Sequence, residues 1–176
     1  MRCTSDENIM EHSWEVAIIA HALALIKNEK FGGSVDEYKT LCLAVYHETS
    51  EVVTGDLPTP IKYFNDDIKT AYKSLEALSC QKLVSKLPEE LRAKYETFVS
   101  GDTKSEEYIL MKAADRICAY IKCVEELKVG NREFIKAKES IGADIFAIDD
   151  PAVQYFCKYI LPTFEKSLDE LEEIGN

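Results

Sequence analysis

The chain has 176 residues, 46% of them hydrophobic and 30% charged, with a formal net charge of −11. That length suits one domain with a substantial core, and that balance is the one expected of a soluble globular protein. The acid excess, with no basic stripe anywhere, excludes a nucleic-acid polymer as partner. A small anionic substrate stays open, because a bound cation and a few basic side chains can reverse the local field.

No apolar run reaches the ~18 residues needed to span a membrane. Met1-Arg2 leads into the polar stretch Thr4-Ser5-Asp6-Glu7-Asn8 and not into a signal sequence. The expectation is a cytoplasmic protein with no membrane partner. The cysteines Cys3, Cys42, Cys80, Cys118, Cys123 and Cys157 form no Cys-x-x-Cys pair and mostly sit in apolar helical patterns. They read as reduced thiols, not as a disulfide framework or a zinc site.

Helical periodicity dominates the chain in order. A first helix is expected over 8–28, with Val16, Ile19, Ala20 and Leu23 at helical spacing, His12 one turn before Val16, and Gly32-Gly33 as its stop. A second begins after Ser34 as N-cap, with Glu37 completing a capping box, and runs to about Val52. Thr54 to Pro60 reads as a loop, its prolines bracketing Thr59. A third helix spans 65–87, and a short fourth follows Pro88. After a loop at Ser100-Gly101-Asp102, a fifth opens at Ser105 and ends at Gly130. A sixth covers 132–141, and the last runs 151–173 with a kink at Pro162. No repeat or linker interrupts the chain, so the expectation is a single all-α domain over 1–176.

His12, the adjacent pair His47-Glu48 and Asp115 each lie in an apolar helical stretch. A lone carboxylate on such a face is costly to ionise unless a cation or a hydrogen-bonding partner offsets it. Imidazole and carboxylate donors together suit one divalent transition metal (manganese, cobalt, zinc or iron) better than calcium. With only three histidines in the chain, a mononuclear site is favoured over a binuclear one. Glu51, one helical turn after His47, would share its face. From spacing alone, each histidine is more often a core or surface helix residue than a ligand, and Asp115 reads as well as half of a surface pair with Arg116.

The order His…His-acid…Asp on helices resembles the HD superfamily of metal-dependent phosphohydrolases. The closer resemblance is to the bacterial 5'-deoxynucleotidases of the YfbR type. It is carried by Glu7-Asn8-Ile9-Met10-Glu11-His12-Ser13, by Tyr46-His47-Glu48-Thr49-Ser50-Glu51, by Gly55-Asp56-Leu57-Pro58-Thr59-Pro60-Ile61-Lys62-Tyr63, and by Ala114-Asp115 with Ala119-Tyr120-Ile121-Lys122-Cys123. The Gly-Asp-Leu-Pro-Thr-Pro segment is the most diagnostic.

The resemblance implies a multi-helix HD-domain bundle that removes phosphate from deoxyribonucleoside 5'-monophosphates and forms a homodimer. It implies His12, His47, Glu48 and Asp115 as metal ligands. Glu51 then matches an acid that orients or deprotonates the attacking water, and Asp56 an acid that assists the departing sugar oxygen.

Two departures stand out. Residue 48 is Glu where the family carries Asp, which lengthens the arm by a methylene. The chain also lacks a match to the family's N-terminal segment, whose Arg-Trp pair holds the substrate. Either the sequence is shortened there, or another cation grips the phosphate, with Lys62, Lys112 and Arg116 as the choices. Two other readings remain open: an HD phosphohydrolase for another phosphate ester, or a degenerate HD domain that binds a nucleotide or a partner without catalysis.

Overall fold

Helix α1 (Ile9–Phe31) starts on a capping box: the Asn8 side chain accepts from the backbone N–H groups of Met10 and Glu11, while Glu11 returns a carboxylate to the Asn8 N–H. It ends at Gly32, whose φ of 66° lies in the left-handed region that glycine adopts without strain. The computed structural model describes residues 3–4, 7–57, 59–62, 64–167 and 169–170. After α1 come α2 (Glu37–Tyr46), α3 (Glu51–Thr54), α4 (Thr59–Lys62), α5 (Asp66–Ser85), α6 (Glu89–Val99), α7 (Glu106–Lys128), α8 (Ile135–Phe146) and α9 (Pro151–Tyr159). Short 3₁₀ turns occupy Arg132–Phe134 and Leu161–Glu165. Among the described residues there is no strand, so the fold is all-α as expected.

The core forms where α1 packs against α2, α7 and α9, with α7 also touching α2 and α8. Leu23, Leu43, Leu110, Met111 and Ile117 are its largest buried side chains, each worth ~1.5–3 kcal/mol of burial. Ala17, Ala20, Ala24, Ala44, Ala113 and Ala114 are buried among them. Such small residues let helix backbones approach closely. By length and composition α1 could cross a membrane, since an 18-residue window within it has a mean hydropathy of 1.3, which corrects the expectation that no run is long and apolar enough. In this fold one side of it, with Val16, Ala17, Ile19, Ala20, Leu23 and Ala24, is covered by neighbouring helices.

Capping by Asp150, which accepts from the Ala152 and Val153 N–H groups, starts α9. Lys27 of α1 donates to the same carboxylate at 2.6 Å and so ties the two helices. The described cysteines are all free thiols.

The second helix departs from expectation at both ends. Its N-cap is Asp36, not Ser34, and Glu37 accepts instead from Asn28 Nδ2 at 2.9 Å. Asn28 also pairs with the Val35 backbone through both ends of its amide and fixes the α1–α2 connection. At the other end α2 stops at Tyr46, because the Thr49 hydroxyl and N–H both take the Tyr46 carbonyl, at 2.6 and 3.1 Å. A side-chain hydroxyl that claims a helix carbonyl competes with the regular ladder. His47 to Ser50 are therefore turn residues, and α3 is a separate turn of helix that re-aims Glu51.

Other boundaries moved less. The expected loop at 54–60 holds the start of α4. The helix expected from 132 opens as a 3₁₀ turn and runs on to Phe146. The last helix breaks before Pro162 into a 3₁₀ turn, and its expected end lies outside the described residues.

Candidate metal centre

Three helical segments bring their tips to one point. His12 comes from the first turn of α1, His47 from the residue that ends α2, and Asp115 from the middle of α7. One ligand atom from each lies within 4.8 Å of the others. His12 Nε2 is 3.3 Å from Asp115 Oδ1, and His47 Nε2 is 3.8 Å from the same oxygen. The two imidazole rings sit 5.4 Å apart, centroid to centroid.

His47 settles what the cluster can hold. Its Nδ1 donates to the Ala44 carbonyl at 2.7 Å, since a carbonyl only accepts. In the neutral ring the lone pair is then on Nε2. That nitrogen is buried and has no hydrogen-bond partner among the described residues. Glu48 Oε1 lies 3.2 Å from it, close enough for an ion pair but not in hydrogen-bonding geometry. Two electron-pair donors facing each other at that distance repel unless a positive charge stands between them. The donor set therefore fits a divalent cation on His12, His47 and Asp115. Glu48 lies beside this triad but outside it.

The charges respond accordingly. Burial opposes ionisation of Asp115, yet the His12 ring and the Lys112 ammonium hold its carboxyl well below the usual carboxylate range. Burial likewise disfavours the His12 cation, but the Asp115 and Glu7 carboxylates raise its pKa to about 10. Lys112 donates to Asp115 Oδ2 in a very short bond one turn away.

His12 and Asp115 open into a chamber of about 510 Å³, walled among others by Glu48, Glu51, Asp56, Lys62, Lys112 and Lys122. Glu51 is 8% exposed. Burial, with Glu48 and Asp56 close by, pushes its carboxyl up to about 8. Asp56 stands at the exposed rim, after Gly55 with φ 70°. Tyr72 of α5 donates to the Gly55 carbonyl at 3.2 Å and steadies this loop. Lys62 reaches the chamber but is held by Glu76 at 2.8 Å and Glu51 at 3.7 Å. Arg116 is placed elsewhere: it is exposed and lines a different cavity with Tyr108, Ile148 and Asp150. Its pairing with Asp115 is not found; Lys112 takes that role.

Sequence reasoning assigned no role to Glu7, whose Oε1 lies 3.3 Å from His12 Nδ1. Its place five residues before His12, at the head of the stretch that carries the family resemblance, was the signal available.

Residues 1–164 match the family described as 5'-deoxynucleotidase YfbR-like. The 5'-deoxynucleotidase VV1113 of Vibrio vulnificus is 51% identical over 97% of this chain and 89% of that protein. The 5'-deoxynucleotidase YfbR of Escherichia coli is 48% identical over 98% of this chain and 87% of its own length. Among solved structures, an HD-domain phosphohydrolase from Listeria innocua superposes with a TM-score of 0.82 at 24% identity, covering 93% of this chain and 79% of that one. That likeness shows the HD-domain fold, and with the match over most of its length the chain belongs to the 5'-deoxynucleotidase YfbR-like family.

Proposed function

We propose that the protein is a phosphomonoesterase that hydrolyses (deoxy)ribonucleoside 5'-monophosphates to nucleoside and phosphate, with one divalent transition metal (manganese, cobalt, zinc or iron) on His12, His47 and Asp115 and with Glu48 beside it. The observation that carries this reading is the buried, unpartnered Nε2 of His47 among carboxylates. The names of its relatives supply the substrate class.

A cation held there supplies Lewis acidity toward the phosphoryl group and the attacking water. It is also needed for charge. The chamber wall sets Glu7, Glu48, Glu51, Asp56 and Asp115 against His12, Lys62, Lys112 and Lys122, so its cations are matched by carboxylates and a bound metal would add the positive charge that a phosphate dianion needs. Glu51, buried in the chamber wall, orients the water and, in its ionised form, takes its proton. Asp56, at the exposed rim, relays a proton from solvent to the departing 5' oxygen. Lys62 and Lys112 hold the phosphate; Arg116, on its separate cavity, is left out of this grip.

Glu48 outside the triad favours one other reading, a domain that binds a nucleotide without turnover. One screen separates the two. The protein is stripped with a chelator, reloaded with manganese, cobalt, zinc or ferrous iron, and offered nucleoside mono-, di- and triphosphates. Phosphate release from monophosphates is expected. Binding without release in every metal would establish the second reading, and release only from other esters would change the substrate.

A cytoplasmic homodimer belongs to the same proposal. The dimer is supported by the exposed apolar side chains Met10, Trp14 and Ile18 on α1, a face that a second copy would cover. Sedimentation of wild type against Trp14→Glu tests it, and an unchanged mass would remove this face from the contact.

A further inference from the structure

His12 is approached by carboxylates at both ring nitrogens, at 3.3 Å each: Asp115 at Nε2 and Glu7 at Nδ1. An imidazole that offers Nε2 to a cation keeps its proton on Nδ1, and that proton needs an acceptor to fix the ring. His47 finds its acceptor inside its own helix, the Ala44 carbonyl. His12 has no such local partner among the described contacts, and its acceptor comes from the segment before α1.

Glu7 is itself held. Its Oε2 lies 3.5 Å from Lys122 Nζ, and Lys122 lies 3.9 Å from Glu126 Oε1. Glu126 is 1% exposed. Its carboxylate accepts from the Thr4 N–H at 3.0 Å, the Thr4 hydroxyl at 2.8 Å and Asn131 Nδ2 at 2.7 Å. A row of alternating charge thus runs from the end of α7, through Lys122 and Glu7, to the Nδ1 side of His12. Thr4, bonded to Glu126, anchors the lead-in segment at the far end of the same row.

We propose that Glu7 is the positioning residue of His12: its carboxylate accepts the Nδ1 proton and turns Nε2 toward Asp115, while Lys122, anchored by the buried Glu126, holds Glu7 in place. This rests on the metal reading above. Glu7 touches neither substrate nor reacting atoms in it. Its effect passes through the orientation and basicity of one ligand.

The test titrates cobalt(II) into the metal-free full chain, reading the visible spectrum of the bound ion and its Kd by competition with a chelator. Glu7→Ala is expected to raise the cobalt Kd by about 10- to 100-fold, the usual cost of losing such a partner. It should also shift the visible bands, leave the thermal midpoint of the metal-free protein close to wild type, and recover hydrolysis with excess metal. Glu7→Gln, which keeps an acceptor oxygen but no charge, should fall between Glu7→Ala and wild type, and Lys122→Met should weaken binding in the same direction by less. If Glu7→Ala does not fold, Glu7→Gln decides. A folded Glu7 variant with wild-type Kd and spectrum overturns the proposal and leaves the metal reading standing. Failure of the wild type itself to bind cobalt or any other divalent metal overturns both.

Discussion

The Ala44 carbonyl, by accepting the Nδ1 proton of His47 at 2.7 Å, leaves Nε2 of that ring with nothing but a lone pair to show to Asp115 and Glu48. The ring cannot turn to relieve this without breaking a short bond inside the fold. His47→Ala is therefore expected to abolish stoichiometric metal binding. A ligand at 100 times its Kd stabilises by about 2.7 kcal/mol. The wild type should gain thermal stability of that order from added metal, and His47→Ala should gain none. Metal analysis and paired melts check this; equal metal-induced shifts in both proteins would move the cation elsewhere.

Asp115 and Glu48 should differ in their cost. Asp115 lies within the three-residue cluster, and Glu48 lies beside it. Asp115→Asn is expected to lower metal affinity by more than about 100-fold, and Glu48→Gln by about 10-fold, the range for a partner that orients a ligand. Competition titrations give both numbers. A larger loss from Glu48→Gln than from Asp115→Asn would make Glu48 a full ligand in spite of its longer arm.

Glu51→Gln separates holding the cation from using it. The side chain is buried in the chamber, tied to Lys62, and is not part of the triad. Loss of a positioned acid–base group costs about 10²- to 10⁴-fold in turnover. That loss is expected in kcat at unchanged metal content. Near-normal turnover in Glu51→Gln would take this residue out of the chemistry.

The sequence showed those features whose causes are local. Asn8, Asn65 and Ser105 each cap the helix that follows by accepting a nearby N–H, so the starts of α1, α5 and α7 could be read from a few residues. The apolar spacing on α1 and α7 likewise marked their buried sides, and with them the placement of His12 and Asp115. Where side chains compete with the expected pattern, near or far along the chain, the reading failed. Glu37 looked like half of a capping box, but Asn28 captures its carboxylate from the preceding helix. The Thr49 hydroxyl ends α2 early, so the helical turn expected to align His47 with Glu51 does not exist as such. The row Glu7, Lys122, Glu126 and Thr4 joins residues more than a hundred positions apart, which no spacing rule reaches. Arg116 and Lys112 looked alike as cations near Asp115; one turn of helix decides that only Lys112 faces it.

Close helix approach is a condition for the triad. Ala20 and Ala114 are both 0% exposed in the shared core, and α1 packs on α7. Ala114, next to Asp115, has no spare room. Ala114→Leu is expected to cost about 1–3 kcal/mol through overpacking. It should also weaken metal binding, because a shift of α7 carries Asp115 with it. Urea unfolding of the metal-free protein and a cobalt titration read the two effects separately. A destabilised variant with undisturbed metal affinity would show that the triad tolerates movement of α7.

Glu107 predicts how stability depends on pH. It stands in the first turn of α7 and joins that helix to the start of α2, accepting from Lys39 Nζ at 2.9 Å and from the Asp36 N–H at 3.4 Å. Burial works against its ionised form, but the Lys39 ammonium and the backbone N–H groups overcome it and hold the carboxyl below its ordinary value. A carboxyl with a folded-state pKa below its unfolded one adds stability at all pH above the unfolded value, and that stability is lost as pH falls through the folded value. The window is therefore acidic, opening near the unfolded Glu value of ~4.3 and extending below it. Lys39 is partly exposed and screened by water, so the tie is worth on the order of 1 kcal/mol or less. Glu107→Gln should lower the urea midpoint at pH 7 by a matching amount, and the gap from wild type should close as the pH falls toward 3. A gap of the same size at both ends of that range would mean that the charge on Glu107 plays no part in joining α2 to α7.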